Sequence, residues 1–215
     1  MEISKYIKTS LNLWKLDKNE AKKVQNQNYS ILLGCLIVAI TTTFIVFFTL
    51  LPELVTPSGD FVFGDRDWTL TLLLLSPLIG VISIIFALLS ISWSYLWIKI
   101  FGGKANFLKT IEVFLLIQVP LLFVNVFISI IDSIILILAG LYSEFIALFI
   151  LLTGFIIFPF TAYYFVVVVY TISITHSMKT LNTVLAGITS IFVIIALFVV
   201  LIIIPIIILL PSLFI

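Results

Sequence analysis

The sequence predicts an all-α integral membrane protein, a bundle of five transmembrane helices preceded by a cytoplasmic helical segment at the membrane interface. Of the 215 residues, 63% are hydrophobic and only 10% are charged, whereas about a quarter of the residues in a soluble domain are charged. The apolar residues form continuous runs long enough to cross a bilayer, which excludes the alternating strands of a membrane β-barrel. The basic residues are concentrated in the tail and in the connections that would lie on the same side of the membrane as the tail.

The tail that precedes the first apolar run, residues 1–28, is basic and amphipathic. Apolar side chains recur in it at helical spacing with lysines between them, at Ile3, Tyr6, Ile7, Leu11 and Trp14. This pattern predicts a helix lying on the cytoplasmic leaflet, where anionic lipid attracts lysine. The predicted lipid-contacting residues are Lys5, Lys8, Trp14 and Lys15. Asp17 and Glu20 resemble a capping box that begins a second short helix.

The five spans make up a transmembrane domain over residues 29–215. A helix needs about 20 residues to cross about 30 Å of hydrocarbon. The spans are predicted at 29–51, 69–98, 111–138, 145–172 and 181–210. The last four exceed the required length, so they must tilt, kink or extend beyond the bilayer.

Charge placement predicts the orientation of the spans. Of the 11 Lys and Arg residues, ten lie in the tail or in the second and fourth connections, and only Arg66 lies in the first connection. The positive-inside rule therefore places the tail in the cytoplasm and, with five spans, the C-terminus outside. The sequence thus predicts a multi-pass protein of the cell membrane.

A stripe of small side chains marks one face of the second span. Its members are separated by four, three, four, three and four residues, at Ser76, Gly80, Ser83, Ala87, Ser90 and Ser94. Helices in lipid associate through such faces because small residues let the backbones approach closely. We therefore expect this face to pack against another helix, with a serine-lined pore as the functional alternative.

A polar seam follows one face of the third span. Gln118, Asn125 and Asp132 recur every seven residues, and Ser129 lies on the same face. Polar groups at membrane depth usually face the protein interior. Only the amides of Gln118 and Asn125 are expected to lie deep, and amides cannot relay a proton by titrating. Hydrogen bonding between helices is the expected role, and binding of a transported solute is the alternative.

Catalytic and metal-binding patterns are absent from the sequence. Cys35 is the only cysteine and His176 the only histidine, so we predict no disulfide framework, no zinc site and no Ser–His nucleophile system. His176 is expected to be a solvated residue of a turn. No cofactor is predicted, and a net charge of +1 gives no basic field for nucleic acid.

The two turns on the basic side carry a family resemblance. Two segments resemble prokaryotic members of the Yip-one (Ypt-interacting protein) family. The first is Trp97-Ile98-Lys99-Ile100-Phe101-Gly102-Gly103-Lys104-Ala105-Asn106-Phe107, with Pro120 16 residues after Lys104. The second is Thr175-His176-Ser177-Met178-Lys179-Thr180. The family-type positions are Gly102, Gly103, Lys104, Pro120 and His176. Leu115 and Leu116 stand where the family has a Gly-Tyr pair, and the tail lacks the Asp-Leu-Tyr-Gly-Pro motif that eukaryotic members use with Rab-type GTPases.

Two hypotheses about function follow. The resemblance implies a non-enzymatic membrane scaffold or organiser, whose partners would be the lipid bilayer, other membrane proteins or further copies of the chain. The alternative is a small transporter or channel subunit that uses the polar seam of the third span. The lack of deep charged residues favours the scaffold, because ion-coupled transporters usually carry them.

Overall fold

The computed structural model describes residues 3–55, 66–139 and 145–200, and within these ranges the chain is helical with short connections. The seven helices are α1 (Ile3–Trp14), α2 (Lys18–Asn26), α3 (Ile31–Val55), α4 (Arg66–Ile100), α5 (Phe107–Ala139), α6 (Phe145–Thr175) and α7 (Thr180–Phe198). Most of the predicted first and third connections, and the predicted last span beyond residue 200, lie outside the described residues.

Five of these helices, α3 to α7, are long and apolar enough to cross a membrane. The predicted class, an all-helical bundle with five spans, is therefore confirmed. The longest helix, α4, has 35 residues and extends about 52 Å at about 1.5 Å per residue, so it must tilt or project beyond a hydrocarbon layer of about 30 Å.

α5 lies at the centre of the bundle and contacts α3, α4, α6 and the tail helix α1. Between Thr110 and Pro120 most of its residues are buried, including Val113, Leu116, Ile117 and Val119. These side chains join tail residues such as Tyr6 and Leu13 in one apolar cluster. The tail is therefore part of the folded core.

The small-residue face of α4 lies against α3 over part of its length. A Cβ atom added at Gly80 would overlap the Thr43 side chain and lie 2.5 Å from the Ala39 carbonyl oxygen. Nearby, the Ser83 hydroxyl donates to Thr42 Oγ1 at 3.2 Å, and buried Ser76 accepts a hydrogen bond from Thr43 through its carbonyl. Close backbone approach of this kind is how small residues hold membrane helices together.

The tail helix α1 packs against α5 and α6. Its buried face consists of Tyr6, Thr9, Ser10 and Leu13. The predicted apolar stripe is therefore only partly the packed face, because Ile3 is 58% and Leu11 48% exposed.

The cap expected at the start of α2 is confirmed. The Asp17 carboxylate accepts the backbone N–H groups of Asn19 at 2.8 Å and Glu20 at 3.3 Å. Glu20 turns its own carboxylate to the Thr9 hydroxyl, 3.1 Å away on α1, and so holds the two tail helices together.

Candidate functional site

The tail and the two basic connections meet at one end of the bundle. Three helices that end there, α1, α4 and α6, close in the same way, with one residue at positive φ: Leu16 at 56°, Gly102 at 95° and Ser177 at 51°. In α4, Gly103 N–H donates to Ile98 O at 2.8 Å and Gly102 N–H to Lys99 O at 3.1 Å. This is the Schellman arrangement, which satisfies the last carbonyls of a helix.

The Gly-Gly-Lys turn and the histidine turn are directly joined. The Lys104 backbone N–H donates to the His176 carbonyl oxygen at 3.1 Å. A Cβ atom at Gly103 would lie 2.8 Å from Ile98 O and 2.9 Å from His176 Nδ1. Gly102 is therefore required by its backbone conformation and Gly103 by the close approach of the histidine.

His176 is fully buried, so the expectation of a solvated turn residue is wrong. The α4–α5 connection covers the ring, and Nε2 lies 3.1 Å from the Thr110 hydroxyl. That hydroxyl donates to Asn106 O, so it accepts from His176, whose Nε2 carries the hydrogen. Burial and the nearby Lys99 lower the pKa of His176 from 6.5 to about 4, and the ring is therefore neutral at pH 7.

Pro120 creates the docking site of the tail. Proline lacks an N–H group, so the Leu116 carbonyl four residues earlier loses its helical partner. The Ser10 hydroxyl donates to that carbonyl at 2.6 Å. The Trp14 indole N–H donates to the next carbonyl, that of Ile117, at 2.8 Å. Two side chains of α1 thus bind backbone groups beside the proline.

A nearly buried ion pair attaches the rest of the tail. Lys109 Nζ lies 2.5 Å from Glu112 Oε2, and the two side chains are 12% and 9% exposed. Lys109 also donates to the Gln27 carbonyl, between α2 and α3, and Gln25 Nε2 donates to Ser177 Oγ at 3.1 Å. We call this assembly of α1, α2 and the connections 101–106 and 176–179 the platform.

The platform exposes most of the basic charge of the chain. All lysines except Lys109 are exposed, including the predicted lipid-contacting Lys5, Lys8 and Lys15. Trp14, predicted to contact lipid, is half-buried, and its ring packs at 5.8 Å from that of Tyr163. Tyr163 also donates its hydroxyl to the Trp14 carbonyl, so Trp14 contributes chiefly to docking.

The polar seam of α5 is separate from the platform turns. Gln118 is half-buried and its side chain lies near the Tyr164 hydroxyl of α6. Ser129 is buried and donates to the Asn125 carbonyl of its own helix, while Asn125 and Asp132 are half-buried. Of the two deep amides, Gln118 therefore lies beside a polar group of another helix.

Sequence reasoning missed several residues that build the platform. Ser10, Thr110 and Gln25 belong to no local motif, and their partners are far away in the chain. Pro120 offered the one usable signal, because an intrahelical proline always frees the carbonyl four residues before it. In the part of the chain that the structure describes, no group of three His, Cys, Asp or Glu residues lies close enough to hold a metal ion.

Comparison with known proteins gives one match. A family model described as Yip1 domain matches residues 17–211, which includes α2, both platform turns and all five long helices. No curated protein and no solved structure gives a significant match to the chain.

Proposed function

The chain belongs to the Yip1 domain family, and from this premise we propose that it is a non-enzymatic membrane scaffold that presents its platform to protein or lipid partners. The family membership and the five apolar helices support a multi-pass membrane protein. The scaffold role rests on the platform itself.

The observation that carries the proposal is the docking of the tail. Ser10 and Trp14 bind carbonyls more than 100 residues away along the chain, and the side chain of Ser10 is completely buried. A tail held in this way gives its exposed lysines fixed positions. Such a surface suits recognition of a partner, since a preordered surface loses less conformational entropy on binding.

We further propose that the platform faces the cytoplasm, that the C-terminus lies outside, and that the chain is of the prokaryotic type. The ten lysines on the platform side against Arg66 in the first connection support the orientation. The presence of the Gly-Gly-Lys turn and the lack of the Asp-Leu-Tyr-Gly-Pro motif support the prokaryotic type. The cell membrane is then the site of action.

Photo-crosslinking in cells tests the scaffold role. A crosslinking amino acid is placed at exposed Lys22 of α2, and a control is placed at Phe127, which is 63% exposed on α5. We expect discrete protein or lipid adducts from position 22 that differ from those at position 127. The yield of the adducts from position 22 should fall in the Ser10→Ala/Trp14→Phe variant, which loses the two hydrogen bonds that dock the tail. Identical adducts at both positions, or adducts unaffected by undocking, would contradict the proposal.

The transporter or channel subunit is the second candidate, and Asn125 is the observation in its favour. This half-buried amide makes no hydrogen bond with the described residues through its side chain. In liposomes that contain the native protein, a transported solute should cross the membrane. With Asn125→Leu the transport should stop, because a polar group of the solute would then face hydrocarbon without a partner. Solute flux that depends on Asn125 would replace the scaffold proposal.

A further inference from the structure

A cavity of about 240 Å³ opens in the platform, between α2, the α4–α5 connection and the end of α6. It is lined by Gln25, Lys104, Ala105, Asn106, Lys109 and Thr175. A water molecule occupies about 30 Å³ of liquid, so the cavity has room for a group considerably larger than one water. None of these residues belongs to the polar seam of α5.

Thr175 is the unusual member of the lining. It is 1% exposed, and its hydroxyl has no hydrogen-bond partner among the described residues. A buried hydroxyl without a partner costs folding free energy. A ligand that brings an acceptor into the cavity would satisfy it.

The charges around the cavity favour an anion. Lys104 is exposed and makes no ion pair within the described ranges, whereas Lys109 is paired with Glu112. The two lysines and Glu112 together leave one positive charge.

The first turn of α5 adds to this field. Asn106 accepts the Lys109 N–H at 2.8 Å, which leaves other N–H groups of the first turn without a helical partner. The positive end of the helix dipole lies at this terminus. Amide N–H groups of Gln25 and Asn106 complete a set of donors that come from three different elements.

We propose that this cavity binds the phosphate group of a phospholipid headgroup, with Thr175, Lys104 and the start of α5 as its donors. A phosphate offers several acceptor oxygens in different directions, which suits donors from three elements. A lipid is the source because Phe107 and Leu108, which lie between the lining residues Asn106 and Lys109, are 37% and 59% exposed and apolar. Acyl chains can lie against them while the headgroup enters. The inference deepens the proposed function and rests on the platform facing a lipid leaflet.

Thr175→Val is the decisive variant because it keeps shape and charge and removes only the hydroxyl. Native mass spectrometry in detergent would titrate the full chain with palmitoyl-oleoyl phosphatidylglycerol, with diacylglycerol as the lipid that lacks phosphate. We expect saturable binding of phosphatidylglycerol alone, weakened about tenfold by Thr175→Val or Lys104→Gln, as expected for loss of one charge-assisted hydrogen bond. Lys99→Gln, an exposed lysine of α4 that does not line the cavity, should change the affinity less than about twofold.

A second readout separates binding from folding. Without lipid, Thr175→Val should melt at a higher temperature than the native protein, because it removes an unsatisfied buried hydroxyl. Weaker binding together with higher stability is an outcome that a damaged fold cannot produce. Native affinity in Thr175→Val, or equal losses in Lys104→Gln and Lys99→Gln, would overturn the proposed site.

Competition by a free phosphate compound tests whether the ligand must be a lipid. Glycerol 3-phosphate should compete only weakly, because it lacks acyl chains. If it binds as tightly as phosphatidylglycerol, the lipid assignment is wrong. The lipid titration uses purified protein, so its failure is distinguishable from the absence of partner adducts in cells.

Discussion

At the scale of single residues, His176 determines how the two platform turns fit together. Its carbonyl accepts the Lys104 N–H, and its ring lies against Gly103 and Thr110. The ring must be neutral to be buried in this position, because a charged imidazole loses its hydration there. The protonation state of one side chain is therefore linked to the stability of the platform.

The linkage predicts a pH dependence of stability. The folded-state pKa of His176 is lowered from 6.5 to about 4, so the unfolded chain binds more protons than the folded chain between these values. The contribution of His176 to stability is complete above pH 6.5 and is lost as the pH falls towards 4. We expect the melting temperature in detergent to fall across this window.

His176→Gln is the matched control for that prediction. Glutamine keeps an N–H donor for Thr110 but does not titrate. The variant should be less stable at pH 7, and its melting temperature should fall less steeply between pH 6.5 and 4. If the two proteins show the same slope, the acid sensitivity comes from carboxylates elsewhere and not from His176.

At the scale of helices, Pro120 weakens α5 and at the same time creates its contact with the tail. Leu116 is fully buried, so its carbonyl needs a partner from outside the helix, and Ser10 supplies one. The kink-forming residue and the tail serine should therefore be energetically coupled.

A double-mutant cycle measures this coupling. Ser10→Ala should cost about 1–3 kcal/mol of unfolding free energy in the native background, because it leaves a buried carbonyl unpaired. In a Pro120→Ala background the new N–H group can bond Leu116 O, so the same change should cost little. Denaturation in detergent would give the four values. Strictly additive costs would mean that Ser10 does not replace the bond that proline removes.

The contact between α3 and α4 gives a second prediction for the helices. Gly80→Leu places a side chain where even a Cβ atom would lie 2.5 Å from the Ala39 carbonyl, and overpacking of this kind costs about 1–3 kcal/mol. Val81→Leu, at the next position and 54% exposed, should cost much less. Thermal melting in detergent would compare them. Equal losses would show that the tight contact at Gly80 does not contribute to stability.

The structure also indicates which features a sequence can predict. Continuous apolar runs gave the five long helices, and the spacing of Asp17 and Glu20 gave the start of α2, because both signals are local. The burial of His176 was not predictable in this way, since it depends on the approach of a connection more than 70 residues earlier. Nor could periodicity distinguish Tyr6, which packs on the bundle, from Ile3, which does not.

At the scale of the whole molecule, orientation in the membrane decides what the platform can meet. Cysteine accessibility would test it after Cys35 is replaced by serine. Lys8→Cys, in the exposed tail, should react with an impermeant maleimide only in inside-out vesicles, and Gly59→Cys only in intact cells, as the lysine distribution predicts. The reverse pattern at both positions would show that the orientation is the opposite of the proposed one and that the platform lies outside.

The distance in sequence between the tail and its docking carbonyls also sets an order of events during synthesis. Ser10 and Leu116 are separated by 106 residues, which a ribosome adding about 5–20 residues per second completes in about 5–20 s. Throughout that interval Ser10 and Trp14 lack the carbonyl groups of α5 that they bind in the folded protein. The docking of the tail therefore marks the moment at which the third long helix has joined the first two.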